Sequence, residues 1–120
     1  MIKTVWIIDD DESILDVIDI VLEKEGYQSR TIRDASILDT LLQDQSKPDL
    51  ILLDVLMSGI DGRDVAHNLK KHKNTKDIPI VIMTADIHVE EKAKAAGADG
   101  FLRKPFNIED LIKIVKKFSS

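Results

Sequence analysis

The chain has no cysteine. That excludes disulfide staples and thiolate metal sites, and it is compatible with a reducing compartment. No apolar stretch approaches the roughly 18 residues of a membrane span. The N-terminus enters an apolar run within a few residues and shows no signal-peptide pattern. A cytoplasmic location without membrane contact is therefore expected. Positive charge is not in excess: the formal balance is −5, which argues against direct nucleic-acid contact. Repeats, low-complexity tracts and interdomain linkers are also missing. At 120 residues, 43% of them hydrophobic, the chain is long enough for one core and too short for two. Residues 1–120 are expected to form one domain.

The chain does hold three apolar runs and a fourth short strand-like segment, each leading into a polar side chain. Val5-Trp6-Ile7-Ile8 runs into Asp9, Asp10 and Asp11, and Leu50-Ile51-Leu52-Leu53 into Asp54. Ile80-Val81-Ile82-Met83 ends at Thr84, and Gly100-Phe101-Leu102-Arg103 at Lys104-Pro105. Taken singly, these residues have ordinary readings. Asp11 suits a helix N-cap and Asp54 a turn. Thr84 suits a strand end and Lys104 a solvated surface. Taken together, they place carboxylates, a hydroxyl and an amine at the C-terminal ends of four strands. In open parallel α/β sheets such ends converge on one site, where strand order reverses. Carboxylates gathered there repel one another. A hard divalent cation such as Mg2+ is the expected occupant.

Between the runs the spacing predicts helices. One covers about Glu12 to Glu25, with Ile14, Ile18, Val21 and Leu22 on its apolar side and Gly26 placed to end it. A weaker strand, Gln28 to Ile32, follows. Asp34 can cap a short helix carrying Ile37, Leu38, Leu41 and Leu42. Asp61 can cap a helix reaching about His72. Another is expected from about His88 to Ala96. The last has Asn107 as cap and a stripe of Ile108, Leu111, Ile112, Val115 and Phe118. Alternating strands and helices imply right-handed βαβ units and a parallel sheet covered on both faces. His67, His72 and His88 read as surface residues, Lys70-Lys71 and Lys116-Lys117 as solvated faces, and Met57 and Met83 as packing residues. The Lys104–Pro105 bond is expected to be cis, since the loop must aim the amine back at the site and then start a helix.

Ile-Ile-Asp-Asp-Asp, Pro-Asp-Leu-Ile-Leu-Leu-Asp with a downstream Gly-Ile-Asp-Gly, Ile-Val-Ile-Met-Thr-Ala and Phe-Leu-Arg-Lys-Pro-Phe follow in order. With these motifs the chain resembles the receiver domains of two-component response regulators, of the chemotaxis single-domain type, over essentially its whole length. The resemblance implies a flavodoxin-like, doubly wound five-stranded parallel sheet in order 2-1-3-4-5 with five helices. It implies Asp54 as phosphoacceptor. Asp9, Asp10, Asp54 and the Leu56 backbone carbonyl would hold Mg2+. Thr84 would hydrogen-bond one phosphoryl oxygen, Lys104 would pair with another, and Phe101 with Thr84 would form the switch. The implied donor is a histidine kinase or histidine phosphotransfer protein. The implied output is a protein partner bound through the fourth helix, fifth strand and fifth helix.

Such a chain is a phosphoacceptor that assists its own phosphorylation and dephosphorylation rather than an enzyme acting on other substrates. It is expected to be a stand-alone regulator or a piece of a longer one. Some positions depart from the family pattern. Ser58 replaces a common proline, Leu56 offers no side-chain group to orient an attacking water, Asp86 could either orient that water or repel it, Ala85 is small, and Phe101 lacks a hydroxyl. Three other readings remain at this stage. An Asp-nucleophile hydrolase would use Asp9, but Asp9-Asp10-Asp11-Glu12-Ser13 is a poor echo of its motif. A flavin-binding protein would need a phosphate-binding loop where this chain has acids. A non-phosphorylated interaction module would not need the acids at all.

Overall fold

The computed structural model describes residues 2–34, 43, 47–57, 59–86, 88, 91, 94 and 96–119. In chain order the elements are β1 (Thr4–Ile8), α1 (Glu12–Lys24), β2 (Gln28–Ile32), β3 (Leu50–Asp54), β4 (Leu56–Met57), β5 (Ile60–Asp61), α2 (Gly62–Lys71), β6 (Ile80–Thr84), β7 (Gly100–Arg103) and α3 (Ile108–Ser119). Five strands form one parallel sheet in the order β2-β1-β3-β6-β7. Counted along the sheet alone, that is the expected 2-1-3-4-5. The short β4–β5 hairpin between β3 and α2 was not foreseen.

The order follows from composition. Every residue of β3 and β6 is buried, as are Val5 to Ile8 of β1. Continuous apolar strands need cover on both faces and so lie at the centre. β2 exposes Gln28, Arg30 and Thr31 and takes an edge, where polar side chains discourage further pairing.

Side chains alternate along each strand, so two cores form. Val5, Ile7, Leu50, Leu52, Val81 and Met83 meet Leu15, Ile18 and Leu22 of α1 and Leu111 and Val115 of α3. Trp6, Ile8, Ile51, Leu53, Ile80 and Ile82 meet Ala66 and Leu69 of α2 on the other face. Each fully buried Leu or Ile contributes about 1.5–3 kcal/mol. The chain steps from β1 to β2 one way with α1 on one face. It steps from β3 to β6 the other way with α2 on the opposite face. One crossover handedness is thereby kept, and strand order reverses between β1 and β3.

The helix ends obey their caps. Asp11 accepts from Ser13 N at 3.0 Å, Asp61 from Arg63 N at 2.9 Å and Asn107 from Asp110 N at 2.8 Å. Gly26, at φ +88°, ends α1 in a Schellman motif: Tyr27 N donates to Leu22 O at 2.9 Å and Gly26 N to Glu23 O at 3.1 Å. Three sequence readings need adjustment. On α1 it is Leu15, not Ile14, that joins the fully buried set. Ile108 is 55% exposed, because it opens α3 ahead of the buried Leu111 and Val115. Lys70 is not a solvated residue. Its ammonium donates to Ile78 O at 2.9 Å and Asp99 Oδ2 at 2.8 Å, bracing the end of α2 against the starts of β6 and β7.

The expected helix bearing Ile37, Leu38, Leu41 and Leu42 lies outside the described residues. So does most of the one expected from His88 to Ala96, of which Glu91 and Lys94 are helical. Met57's side chain also lies outside them, whereas Met83 is fully buried and His67, His72 and His88 are exposed.

Candidate functional site

β1 and β3 are in register, with Ile8 opposite Leu53. The residues that follow, Asp9 and Asp54, therefore emerge side by side at the C-terminal edge of the sheet. Both are buried, at 0% and 6% exposure. Asp10 is more open. One carboxylate oxygen from each of Asp9, Asp10 and Asp54 can be chosen so that all lie within 4.8 Å of one another. Asp11 does not join them, because its carboxylate is held by Ser13 N and by Ser13 Oγ at 2.6 Å. The bonds from Ser13 keep the Asp11 carboxyl below the usual range. The ordinary helix-cap reading thus holds for Asp11 and not for its two predecessors.

Lys104 reaches the cluster from the end of β7. Its Nζ donates to Asp9 Oδ2 at 2.8 Å and to Asp54 Oδ1 at 3.2 Å. The Lys104–Pro105 bond is cis, as expected. The Lys104 backbone N–H donates to Thr84 O at 2.8 Å, which ties β7's end to β6. Burial opposes the ammonium charge, but the hydrogen bond to Asp9 and the charges of Asp54 and Asp9 prevail, and the Lys104 pKa is raised. For Asp54 the balance goes the other way. Burial first, then the Asp9 charge, push it up from 3.8 to about 6 against the pull of Lys104.

That shift predicts a pH dependence. Folded Asp54 holds its proton up to a higher pH than the unfolded chain does. The stability it contributes is complete below about pH 4 and is lost as pH rises through 6. In metal-free buffer the group is expected to cost on the order of 2–3 kcal/mol at pH 7. Asp54→Asn should then be the more stable protein at pH 7.5, with the difference closing toward pH 4. Urea melts of both proteins across that range check this. Parallel pH profiles would refute it.

Thr84 is buried at the end of β6, one residue past the partner of Asp54. Its Oγ accepts from Asp86 N at 3.0 Å, and Asp86 Oδ1 in turn accepts from His88 N at 2.8 Å. Phe101 pairs with Ile82 across β6–β7 and is half-buried against the Trp6 face of the core. Leu56 lies two residues beyond Asp54 and pairs with Asp61.

One residue that holds the site together escaped its sequence reading. A Cβ on Gly62 would lie 2.2 Å from Asp54 O and 2.9 Å from Val55 Cα. Only a glycine lets α2 begin directly against the candidate acceptor's own backbone. The sequence offered Gly62 only as the end of the Gly-Ile-Asp-Gly motif and could not show what it would touch.

A family model described as the response regulator receiver domain matches residues 5–116. The chain belongs to that family. RpaA of Synechocystis sp., named a DNA-binding dual master transcriptional regulator, is 37% identical over 114 residues, 93% of this chain and 47% of RpaA. The phosphate regulon transcriptional regulatory protein PhoB of Pseudomonas aeruginosa is 35% identical over 116 residues, 95% of this chain and 50% of PhoB. This receiver thus spans about half the length of those curated relatives. Among solved structures, the chemotaxis protein CheY4 of Vibrio cholerae superimposes with a TM-score of 0.90 at 28% identity, covering 98% of this chain and 99% of CheY4. The flavodoxin-like fold with its five-stranded parallel sheet is common to both. Receiver domains are signalling phosphoacceptors of two-component systems and are phosphorylated by histidine kinases. Among the described residues, no helix is long and apolar enough to cross a membrane.

Proposed function

We propose that residues 1–120 act as one cytoplasmic receiver that takes a phosphoryl group onto Asp54 and changes its binding surface as a result. The observation that carries this reading is the buried meeting of Asp9, Asp54 and Lys104 at the sheet's reversal point. An Asp54 oxygen attacks phosphorus, the bond from phosphorus to the donor's histidine nitrogen breaks, and the imidazole leaves. Asp54 becomes an acyl phosphate. Lys104, already 3.2 Å from Asp54, pairs with a phosphoryl oxygen, and the Thr84 hydroxyl donates to another. The rate comes from position and electrostatics.

The residues present fit a divalent metal. Three ionised carboxylates and one ammonium sum to −2, and hard oxygen donors suit Mg2+. Asp9, Asp10, Asp54 and the Leu56 backbone carbonyl would hold it. When bound, the ion supplies positive charge that offsets repulsion between these acids and an anionic phosphodonor. Asp10→Ala is expected to weaken Mg2+ binding at least 10-fold while raising stability in metal-free buffer, since one like charge is gone. Calorimetric titration checks it, and an unchanged affinity would place the ion elsewhere.

The donor in this reading is a histidine kinase or a histidine phosphotransfer protein. Once Asp54 is phosphorylated, Thr84 moves inward and half-buried Phe101 follows it, a shift between two populated states. The helix expected from His88 to Ala96, β7 and α3 then present a changed face to a protein partner. Direct nucleic-acid contact is not part of the reading, because a chain of net charge −5 is repelled by a phosphate backbone. The Asp9-nucleophile hydrolase gains nothing here, since Asp9 is fully buried and bonded to Lys104. Incubation with acetyl phosphate and Mg2+, followed by intact and peptide mass measurement, tests the proposal. Phosphate on any residue other than Asp54 would refute it.

A further inference from the structure

Arg63 stands outside the acid cluster, and the phosphoryl chemistry does not call on it. Its bonds are nonetheless unusually complete. Arg63 Nη2 lies 2.6 Å from Asp61 Oδ2, and Nε lies 3.0 Å from Oδ1 and 3.1 Å from Oδ2. The Arg63 backbone N–H adds the cap bond to Oδ1 at 2.9 Å. Planar, two-pronged pairs of this kind fix direction as well as distance. Both side chains remain 30% exposed, so the pair contributes little to global stability. Its effect is local.

Asp61 is attached at a second place. Its backbone pairs antiparallel with Leu56, and Gly62 N donates to Val55 O at 2.8 Å. The segment Val55-Leu56 is therefore held between the end of β3 and the start of α2. The direction of a backbone carbonyl follows from the ψ of its own residue and the φ of the next, because the peptide is planar. Pairing of Leu56 with Asp61 and of Met57 with Ile60 restrains both, so what holds Asp61 in place also limits how far the Leu56 carbonyl can turn.

We propose that the Asp61–Arg63 fork is a positioning device that aims the Leu56 carbonyl at the metal and so sets Mg2+ affinity. This rests on the metal reading given above. Two explanations of Arg63 predict opposite signs. If Arg63 acted only as a charge near an acidic site, removing it would tighten cation binding. If it positions Leu56, removing it weakens binding, because an outer partner that orients a ligand is lost.

The test is calorimetric titration of Mg2+ into wild type, Arg63→Ala, Arg63→Lys, Asp61→Asn and Asp10→Ala, with melting curves in metal-free buffer. Arg63→Ala keeps the cap, since that bond comes from the backbone N–H. It is expected to raise the Mg2+ Kd about 10-fold with a melting curve close to wild type. Asp61→Asn is expected to weaken binding similarly, and serves if Arg63→Ala does not fold. Arg63→Lys retains charge without the fork and is expected to restore only part of the affinity. Unchanged or tighter binding in Arg63→Ala, or full rescue by Arg63→Lys, overturns the inference. If Asp10→Ala weakens binding in that experiment, the metal reading survives. If Asp10→Ala also binds as wild type does, the metal reading falls and the positioning role with it.

Discussion

Asp54→Asn is expected to take up no phosphate from acetyl phosphate and Mg2+ while keeping the wild-type fold. The amide occupies the same volume and is a far poorer nucleophile than a carboxylate. Two of the neighbouring acids are already engaged. Asp9 is fully buried with Oδ2 bonded to Lys104 and Oδ1 accepting from Asp11 N at 3.0 Å. Asp11 is engaged by Ser13. The loss should be complete within detection, a far larger effect than any change to the surrounding cage. Intact mass after incubation reads it directly. A variant that gains a phosphoryl mass as wild type does would show that the acceptor lies elsewhere.

The largest structural effect is expected from Gly62→Ala. The added methyl would stand 2.2 Å from Asp54 O, and the obstacle is backbone, with no flexible side chain to yield. Either α2 backs away from β3 or the Asp54 carbonyl turns. Overpacking of this kind costs about 1–3 kcal/mol and sometimes more. With rigid atoms on both sides the upper end applies, so a fall in Tm of about 10 °C is expected. Phosphorylation should slow as well, because the displaced backbone belongs to Asp54 itself. Thermal melts and labelling time courses check both. A variant with wild-type Tm would mean that the two segments are not packed this closely.

Much of this architecture could be read from the chain because signal and structure coincide in sequence. Val5 to Ile8, Leu50 to Leu53 and Ile80 to Met83 are contiguous apolar runs, and contiguous burial is what central parallel strands require. The acids and Thr84 directly follow them, so strand ends and candidate site residues could be read together. Asp61, Asn107 and Gly26 announced helix ends because capping is local chemistry.

What could not be read depends on distance along the chain. Leu56–Met57 and Ile60–Asp61 are each two residues long, too short to show any period. Lys70 looked like one of a solvated pair. Its acceptors lie eight and 29 positions away, and a lysine's long stem lets it reach them. Gly62 stood in the sequence only as the last residue of a motif, and its need for a bare Cα arises from α2 lying against the end of β3. Lys104 was assigned to a phosphoryl oxygen by resemblance. That it also bonds Asp9, 95 positions away, is a fact of tertiary assembly alone.

Trp6 gives the protein an optical property of its own. It is the single tryptophan, 3% exposed, and it lies on the strand that delivers Asp9. Arg30 of the edge strand sits over its ring at 5.7 Å from the centroid. An indole shielded from water emits at shorter wavelength than a solvated one. All indole emission therefore originates at one interior position, between the sheet and the cover on its α2 face. Any event that parts β2 from β1 removes the guanidinium from above the ring and admits water beside it. The colour of that emission follows the integrity of the β1–β2 edge, without a label.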